Sequence, residues 1–574
     1  MTVPSVRSIE IDGGLGTLPS EMGDALVVVG AASQGPYNTP VAFTRAAPVV
    51  RNYGATGELV EACAYHTNRR GRAVIPVRAR ATVPGTVGAL TVTSAAGTAT
   101  AHAVTYSGMT PVIKSGMSPP AITLSGTPLG LYALKLQCDT EGAQGVATIK
   151  VSTDNGATWN APPSLVTATD LVLTGTGLTA HCPVGTYHTN NTWTADSIGA
   201  LPVDDFDAVI TIVTGGDASG SALTCTISQD GGLSPPSPVT GISGGHVTVG
   251  GVQIDLAGTW AAGDTITFTA VASRPTAGQI AEAIASLASS KLPFSTILIA
   301  SAIGAAEFDA IEGAVATLGA INKPQYWIGH VRIPAPGETS VEYVANVLTP
   351  LASKTTVRGS VVSRDALVSS SLTGRLCRRS PALTVASLET FVSAEIDIAE
   401  LTLGAIPGVQ LTDLNGNVIF HDEMIEPGDD DLGFLALRTW EGRDGVYVNR
   451  PRIKCAAGSD FMIAPYRKVM NLASKLLRSY LETRLGKALR VYTKTGFIFG
   501  PDASEIEKQG AATVLAVLGP KPMLSGLVIA VSRDENLLQT RECTVDMSIV
   551  PLAYIEGVVL TERFINPARN LAAA

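Results

Sequence analysis

Residues able to perform catalysis are few and widely spaced in this sequence. Ser-His-Asp chemistry needs a serine at a tight turn beside a histidine base. No G-T-S-x-A sequence occurs, and the G-x-S-x-G match at Gly241–Gly245 lies in a β-rich segment rather than between a strand and a helix. Of seven histidines, only His330 and His421 lie in the strand–helix stretch of residues 273–440. We expect His330 to be a packing residue at a strand end. Walker and G-x-G-x-x-G loops are also missing, so the sequence predicts no catalytic residue, no bound cofactor and no enzyme.

Metal-ligand patterns are equally weak. The seven cysteines, at positions 63, 138, 182, 225, 377, 455 and 543, form no C-x-x-C pair, which excludes the usual zinc spacings. We expect reduced, mostly buried thiols, with cross-links between subunits as the alternative. The run Glu426-Pro-Gly-Asp-Asp-Asp431 could bind calcium but lacks further ligands at EF-hand spacing. A solvated acidic turn is expected there, and no metal site is predicted.

One local motif matches a known pattern at every specified position. Ser152, Asp154, Gly156, Thr158 and Trp159 match the Asp-box pattern S-x-D-x-G-x-T-W, which is found in sialidases and other β proteins. There it is a structural hairpin in which the aspartate caps the turn and the tryptophan packs beneath. A sialidase would also need several boxes and an arginine cluster to hold a carboxylate. No arginine occurs between residues 81 and 273, so the enzyme interpretation fails.

The same segment is acidic. Residues 81–273 hold three lysines, eleven aspartates and one glutamate. The net charge of this segment is therefore −9, the same as that of the whole chain. Such a surface repels nucleic acid, so we expect no nucleic-acid partner. The start of the chain lacks a basic and then apolar run, and the uncharged stretch from Phe294 to Ala306 is too short to span a bilayer. We therefore expect synthesis in a cytoplasm and no direct membrane insertion.

The elements that must position these residues change character along the chain. Residues 25–83 and 273–440 alternate buried strands with helices, which predicts a parallel sheet. Residues 84–272 read as an all-β insert with two tandem repeats, because Val151–Gly156 recurs as Ile227–Gly232 and Gly185–Thr194 recurs as Gly258–Thr267. Residues 441–562 read as α+β, and 1–24 and 563–574 lack a core-forming pattern. The expected fold is a multidomain α/β and α+β protein.

Two stretches resemble the contractile tail sheath proteins of bacteriophages and R-type pyocin-like particles. The first runs from Val29 to Val41, followed by Tyr53-Gly54, Leu59, Tyr65, Asn68, Gly71 and Val77-Arg78 in the order that the family has. The second is Trp440–Arg450, followed by Tyr466-Arg467, Gly500-Pro501, and a strand pair with Pro551 and Tyr554. The resemblance covers residues 25–80 and 275–565 and leaves the β insert outside it.

This resemblance implies a structural protein of the virion tail. Sheath subunits form six-fold rings in a helical array around a tail tube, and contraction drives the tube through the host envelope. Their α/β core resembles subtilisin but lacks its catalytic residues, and the two terminal arms add strands to neighbouring subunits. The implied partners are further copies of this chain, the tail tube protein, and baseplate and tail terminator proteins, with assembly in the host cytoplasm. The alternative for the arms is that they fold back on their own chain.

A basic helix is the candidate contact with the tube. Ser459 is expected to cap a helix that runs to about Leu489. Its core face is expected to carry Val469, Leu472, Leu476 and Tyr480. The tube-contact candidates are Arg467, Lys468, Lys475 and Arg478, and a plain solvated face is the alternative.

Other functions stay open for the whole chain. It could be a phage hydrolase with a degenerate α/β core, or a receptor-binding or surface-layer protein that carries β modules. The insert is expected to project as particle decoration, with carbohydrate or envelope binding as the alternative.

Overall fold

The fold is described from a computed structural model. The structure describes residues 25–113, 118–159, 165–220, 222–232, 235–242, 244–321, 323–335, 338–411, 428–440, 442–485, 500–520, 524–534 and 544–551. The chain divides into two compact units, residues 1–471 and 472–574. Both predicted linking arms, His421 and Cys543 lie outside the described residues.

Four elements precede the acidic insert. They are β1 (Ala25–Gly30), α1 (Ala46–Tyr53), α2 (Glu58–Arg70) and β2 (Val74–Arg78). Both strands are buried at every residue, as their unbroken apolar sequences indicate. Helix α2 ends at Gly71, whose φ of 63° is the left-handed conformation that glycine adopts most easily at a helix C-terminus.

Short strands build the insert. In chain order they are β3 (Thr86–Val87), β4 (Thr91–Val92), β5 (Gly97–Ala101), β6 (Thr105–Tyr106), β7 (Thr110–Val112), β8 (Thr123–Gly126), β9 (Ala133–Thr140), β10 (Gly142–Ala143), β11 (Thr148–Ser152), β12 (Leu165–Val166), β13 (Asp170–Leu173), β14 (Leu178–His181), β15 (Thr186–Tyr187), β16 (Thr192–Ile198), β17 (Phe206–Thr214), β18 (Gly216–Asp217), β19 (Thr224–Ser228), β20 (Thr240–Gly241), β21 (His246–Val249), β22 (Val252–Trp260) and β23 (Thr265–Val271). Alternating exposed and buried residues in β9, β17 and β23 give each strand one core face.

Helices and strands alternate again after the insert. The elements are α3 (Ala277–Ser286), β24 (Phe294–Ala302), α4 (Ala305–Ala320), β25 (Tyr326–His330), α5 (Ser340–Tyr343), a π-helical turn (Val344–Leu348), α6 (Thr349–Ala352), β26 (Gly359–Val362), β27 (Ala366–Ser369), β28 (Leu376–Arg379), α7 (Ala382–Phe391), a 3-10 turn (Leu401–Leu403), β29 (Val409–Gln410), β30 (Leu437–Trp440), β31 (Arg443–Val448), α8 (Ala464–Leu485), α9 (Gly500–Leu518), β32 (Leu524–Val531) and β33 (Val545–Pro551). Among the helices that the structure describes, none has the length and apolar character needed to cross a membrane.

A five-stranded parallel sheet in the order β2-β1-β24-β25-β26 forms the centre of the first unit. Alternate residues of β1 belong to different cores. Leu26 and Val28 pack with α2 and α7, whereas Val27 and Val29 pack with α3 and α4. This doubly wound order confirms the predicted mixed α/β class. The likeness of this core to subtilisin stays a proposal.

The insert consists of two modules with matching sheets. Module A (residues 105–198) has the order β12-β11-β9-β16-β6, and module B (residues 86–101 and 206–271) has the order β20-β19-β17-β23-β3. Strands β3, β4 and β5 precede module A in sequence yet pair with β22 and β23 of module B. The repeated modules are therefore nested, with A inserted into B, rather than strictly consecutive.

The second unit holds a two-stranded antiparallel ribbon, β32-β33. Ile529 and Val531 of β32 are buried, and Glu507 of α9 accepts a hydrogen bond from the backbone N–H of Val531 at 2.9 Å. The opposite face carries Val528 and Val550, which are 64% and 58% exposed. One face of the ribbon is therefore covered by α9, and the other is uncovered among the residues that the structure describes.

Helix α8 differs from its prediction in start and register. It begins at Ala464, not after Ser459, whose side chain instead accepts a hydrogen bond from the Phe461 N–H in the preceding turn. Val469 is buried as predicted, but Leu472, Leu476 and Tyr480 are only partly buried. Ala473 and Leu477 occupy the buried positions at the next turns. The core face is thus shifted by one residue from Leu472 and Leu476, and the small Ala473 gave no apolar signal for this register.

A close approach between β25 and β26 yields a stability prediction. A Cβ atom on Gly359 would lie 2.1 Å from the buried ring of Trp327, whereas a Cβ on Gly313 in α4 would meet nothing within 4 Å. We expect Gly359→Ala to destabilise the protein by about 1–3 kcal/mol through overpacking. Gly313→Ala should be neutral or stabilising by up to about 1 kcal/mol. Urea unfolding of both variants checks this, and equal stabilities would contradict it.

Candidate functional site

The insert meets the core at the carboxyl ends of the parallel strands. It leaves the core after Arg78, the last residue of β2, and its loop Pro202–Asp205 borders Ala300–Ala302 at the end of β24. In open α/β sheets this edge is the usual ligand-binding crevice. Here a cavity of about 370 Å³ lies between Phe206 of the insert and His330 of β25. We define this region as the joint.

Three arginine–aspartate pairs cross the joint. Arg379 forms a two-pronged pair with Asp204, with Nη1–Oδ1 and Nη2–Oδ2 distances of 2.9 and 2.5 Å. Arg274 pairs with Asp205 at 2.8 Å, and Arg378 pairs with Asp207 at 3.3 Å. Every arginine here comes from the core and every aspartate from the insert. The excess negative charge of the insert is thus matched by positive charge where it docks.

Burial makes the first pair the critical one. The side chains of Arg379 and Asp204 are only 7% and 13% exposed. Burial by itself lowers the pKa of Arg379, but the Asp204 carboxylate more than offsets this and the pKa is raised well above its usual value. Burial also raises the pKa of Asp205, and the nearby Glu58 carboxylate adds to that rise.

His330 lies at the core side of the joint, at the end of β25. Its Nδ1 lies 3.1 Å from the carbonyl of Val331, and its Nε2 lies 3.5 Å from the Glu58 carboxylate. Burial lowers the pKa of His330, but the Glu58 carboxylate outweighs it and the net shift is upward. Both ring nitrogens are engaged, so this histidine is not arranged as the base of a Ser-His-Asp triad. It packs at the strand end, as the sequence predicted.

Arg78 joins the turn between β1 and α1 to module A. Its Nη1 donates to the carbonyl of Gly35 at 2.5 Å and lies 3.4 Å from the Thr153 hydroxyl. Its guanidinium stacks over the Tyr37 ring at 4.1 Å. This buried arginine, one of the residues that carried the family resemblance, therefore ties the glycine-rich turn to the Asp-box turn.

The Asp-box forms a closed hydrogen-bonded turn. Ser152 Oγ donates to Asp154 Oδ1 at 2.6 Å, and the N–H groups of Gly156 and Thr158 donate to Ser152 Oγ and Asp154 Oδ1, each at 2.8 Å. Trp159 follows the turn and is partly buried. The side-chain oxygens of Ser152 and Asp154 form hydrogen bonds within the turn itself, which fits a structural role.

The same turn recurs in module B. Ser228 Oγ donates to Asp230 Oδ1 at 2.5 Å, and the Gly232 N–H donates to Ser228 Oγ at 3.0 Å. Gln229 of this turn borders the cavity at the joint. The box turns of both modules therefore face the core, away from any projecting end of the insert.

The acidic run before β30 is solvated only in part: Asp431 is exposed, as expected, whereas Asp429 is buried and Asp430 is partly buried. Asp429 is fully buried and pairs with Arg364 at 2.8 Å. Asp430 pairs with Arg450 at 3.0 Å and with Arg452 at 3.4 Å. Distant arginines, which the local sequence could not reveal, neutralise these carboxylates. Glu426 lies outside the described residues.

The four tube-contact candidates on α8 differ in environment. Lys468 binds the buried Glu389 carboxylate at 2.8 Å, and Arg467 is partly buried over the ring of Phe461 at 5.4 Å. Burial lowers the pKa of Arg467 to about 10. Lys475 is half-buried, whereas Arg478 is 40% exposed and pairs with Glu482 at 2.6 Å. The structure therefore favours an internal role for Lys468.

The six described cysteines are free thiols. Cys63, Cys138, Cys182 and Cys225 are buried, and Cys377 and Cys455 are partly buried. Burial raises the pKa of the Cys138 thiol to about 11, with smaller contributions from Glu141 and Asp139. A thiol with a raised pKa is rarely the reactive thiolate.

Sequence reasoning missed the joint. Asp204, Asp205 and Asp207 form the densest acidic run of the insert, and Arg378-Arg379 is a basic pair of the core. Complementary charge on two segments was the available signal. Nothing in the sequence alone placed residues some 170 positions apart in contact.

Comparisons with known proteins give matches among solved structures. No protein-family model matches the sequence, and no curated protein sequence is similar to it. Among solved structures, the chain is similar to a sheath tail protein of Desulfitobacterium hafniense, with 9% identity, 95% of this chain and 100% of the other covered, and a TM-score of 0.40. A sheath tail protein of Listeria innocua matches with 9% identity, 93% and 96% coverage and a TM-score of 0.41.

A third similar structure is the contracted PVC sheath complex of an extracellular contractile injection system. It has 11% identity, a TM-score of 0.32, and coverage of 48% of this chain and 72% of the other. The family that the sequence motifs resemble and the family of these solved structures are the same. TM-scores below 0.5 are too low for these likenesses to carry a functional inference.

The buried pair of the joint gives a mutational prediction. Asp204→Asn leaves the Arg379 guanidinium buried without its counter-charge, so we expect a loss of about 3–5 kcal/mol in unfolding free energy. The double variant Asp204→Leu with Arg379→Met should lose much less unfolding free energy than Asp204→Asn does, because neither charge of the pair then remains buried. Asp217→Asn, at an exposed aspartate of module B, is the matched control. Thermal unfolding that is unchanged in Asp204→Asn would contradict the assignment.

The His330–Glu58 pair predicts a pH dependence. The raised pKa of His330 gives stability that is complete below its ordinary pKa of 6.5 and is lost as pH rises through the raised value. The pKa of Glu58 is lowered, although burial opposes this, so its contribution is lost as pH falls below the ordinary 4.5. Wild type should therefore exceed His330→Gln in melting temperature more at pH 6 than at pH 8.5.

The control for this experiment is His66→Gln, which removes a buried imidazole whose pKa is lowered by burial to about 4. Its difference from wild type should be no larger at pH 6 than at pH 8.5, because a lowered histidine pKa costs stability as pH falls below 6.5. A His330→Gln difference that is equal at pH 6 and pH 8.5 would rule out the ion pair.

Proposed function

We propose that this chain is the structural subunit of a contractile tail sheath. It polymerises as hexameric rings around a tail tube, and contraction of the array drives the tube through the host envelope. The order of the resembling motifs over residues 25–80 and 275–565 supports this proposal. In this role the protein is part of a virion tail, assembles in the host cytoplasm, and contacts tube, baseplate and terminator proteins.

The proposed polymerisation rests on the two-stranded ribbon β32-β33 of the second unit. Among the described residues, β32 and β33 pair only with each other. A two-stranded ribbon is marginally stable alone, and unpaired strand edges accept further strands. Val528 and Val550 also leave apolar surface on the uncovered face. Strands donated by neighbouring copies, which we assign to residues 1–24 and 563–574, would complete the sheet.

The engaged polar groups of the joint support a mechanical role over a catalytic one. The carboxyl edge of the parallel sheet, where α/β enzymes bind ligands, is covered by the insert and its ion pairs. A hydrolase at this edge would need an accessible nucleophile beside a free base. His330 offers no free ring nitrogen.

We assign contact with the tube to the exposed end of the basic face of α8. The side chain of Arg478 is 40% exposed, against 12% for Lys468. Exposed ion pairs contribute about 0–1 kcal/mol each. Repetition over many rings would sum such contacts while each remains easily broken during contraction.

Edge-blocking substitutions test the proposed function. Wild-type chain expressed alone should form tubular polymers that are visible by negative-stain microscopy. Val528→Lys combined with Val550→Lys should abolish or shorten the tubes, because charge on an exposed strand opposes further pairing. Both side chains are mostly exposed, so the monomer should still fold.

Val172→Lys in module A is the matched control, since Val172 is also 64% exposed, and its tubes should be normal. A wild-type chain that stays monomeric at high concentration would overturn the proposal. Discrete particles that adsorb to host cells would instead favour a receptor-binding component.

A further inference from the structure

Two imidazoles and a carboxylate converge on one face of module B. His102 directly follows β5, and His246 and Asp255 are cross-strand partners on β21 and β22. His102 Nδ1 lies 2.9 and 2.8 Å from the two Asp255 oxygens, and His246 Nδ1 lies 2.7 Å from Oδ1. The side chains of His102, His246 and Asp255 are 27%, 46% and 35% exposed, so solutes can reach them.

Module A carries part of the same arrangement, which makes it an internal reference. Its cross-strand pair at the corresponding place, Asp170 on β13 and His181 on β14, also has Nδ1 bonded to the carboxylate. The third position there is Ser125, whose hydroxyl lies 2.7 Å from His181 Nε2. Only module B adds a second imidazole to the pair.

We propose that His102, His246 and Asp255 bind one divalent transition-metal ion, with Zn²⁺ as the ion of best fit. One ligating atom of each residue lies within 4.8 Å of the others. In a tetrahedral site, two ligands at about 2.0–2.2 Å from one ion are about 3.3–3.6 Å apart, against the present histidine–aspartate distances of 2.7 to 2.9 Å. Small rotations of the rings therefore suffice to bind the ion.

The ligand chemistry selects the class of ion. Two imidazoles with one carboxylate suit Zn²⁺ and its neighbours, whereas Ca²⁺ and Mg²⁺ prefer oxygen ligands alone. Without metal, each Nδ1 carries the proton that it donates to Asp255, because an ionised carboxylate can only accept. On binding through Nδ1, this proton moves to the Nε2 of the same ring, and water fills the remaining coordination position.

The place of the site gives it a structural consequence. His102 stands where the chain leaves module B for module A, and its carbonyl accepts a hydrogen bond from the Ala200 N–H, where the chain returns. Asp255 lies 153 residues further along the chain than His102. An ion held by both closes module B beside the entry to module A. The inference rests on module B alone and is independent of the proposed function.

Equilibrium binding of Zn²⁺ to the purified full-length chain tests the site. Isothermal titration at pH 7.5 should show one Zn²⁺ per chain, and Zn²⁺ should raise the melting temperature while Ca²⁺ does not. His246→Ala and His102→Ala should each weaken Zn²⁺ binding by at least about 10-fold. Circular dichroism checks that each variant folds.

His181→Ala is the matched control, because it removes the imidazole of the corresponding pair in module A. It should bind Zn²⁺ as wild type does. Absence of stoichiometric Zn²⁺ binding by wild type would overturn the site, as would an equal loss in His181→Ala and His246→Ala. Asp255→Asn provides a second check, because it keeps the size of the side chain and should also weaken binding.

Discussion

The position of the whole insert depends on opposite charges buried at one joint. The Arg379–Asp204 pair is two-pronged and largely shielded from water, and two further arginine–aspartate pairs flank it. The attraction in such a pair is largely offset by the cost of removing both ions from water. Breaking one partner is nevertheless expensive. The joint therefore contributes orientation more than net stability, since any other docking would leave charges unpaired.

This arrangement changes what the edge of the parallel sheet can do. In doubly wound proteins the carboxyl ends of the strands form a crevice that holds ligands. Here the same edge of the sheet contacts the loop Pro202–Asp205. Both Asp-box turns also border this edge. A surface that other α/β proteins use for small molecules serves in this chain to seat another part of the same polypeptide.

Local patterns predicted the core well because burial on both faces leaves a strong signal. The apolar runs of β1, β2, β24 and β25 and the helix periodicity of α2 and α4 predicted the alternation of strands and helices over residues 25–83 and 273–440. The repeat within the insert was also visible, because its turn chemistry recurs. Nesting was not visible, since β3–β5 are too short to indicate their partners.

The candidate sites show where local reasoning ends. Long-range pairing decides the environments of Asp429, Lys468 and Asp204, and each partner lies tens to hundreds of residues away. The trio in module B was equally hidden, because its histidines are 144 positions apart and no short spacing marks them. For the joint, the sequence signal was complementary charge between two segments of the chain.

Module A enters and leaves its host at adjacent points, where the backbone of Ala200 meets that of His102. A segment whose two ends touch can be exchanged as a cassette, since the strands that flank it keep their own partners. Replacement by an unrelated domain with neighbouring termini would leave the sheets of module B intact. The chain is thus built so that its surface can diversify, through domain swaps of this kind, while its scaffold stays constant.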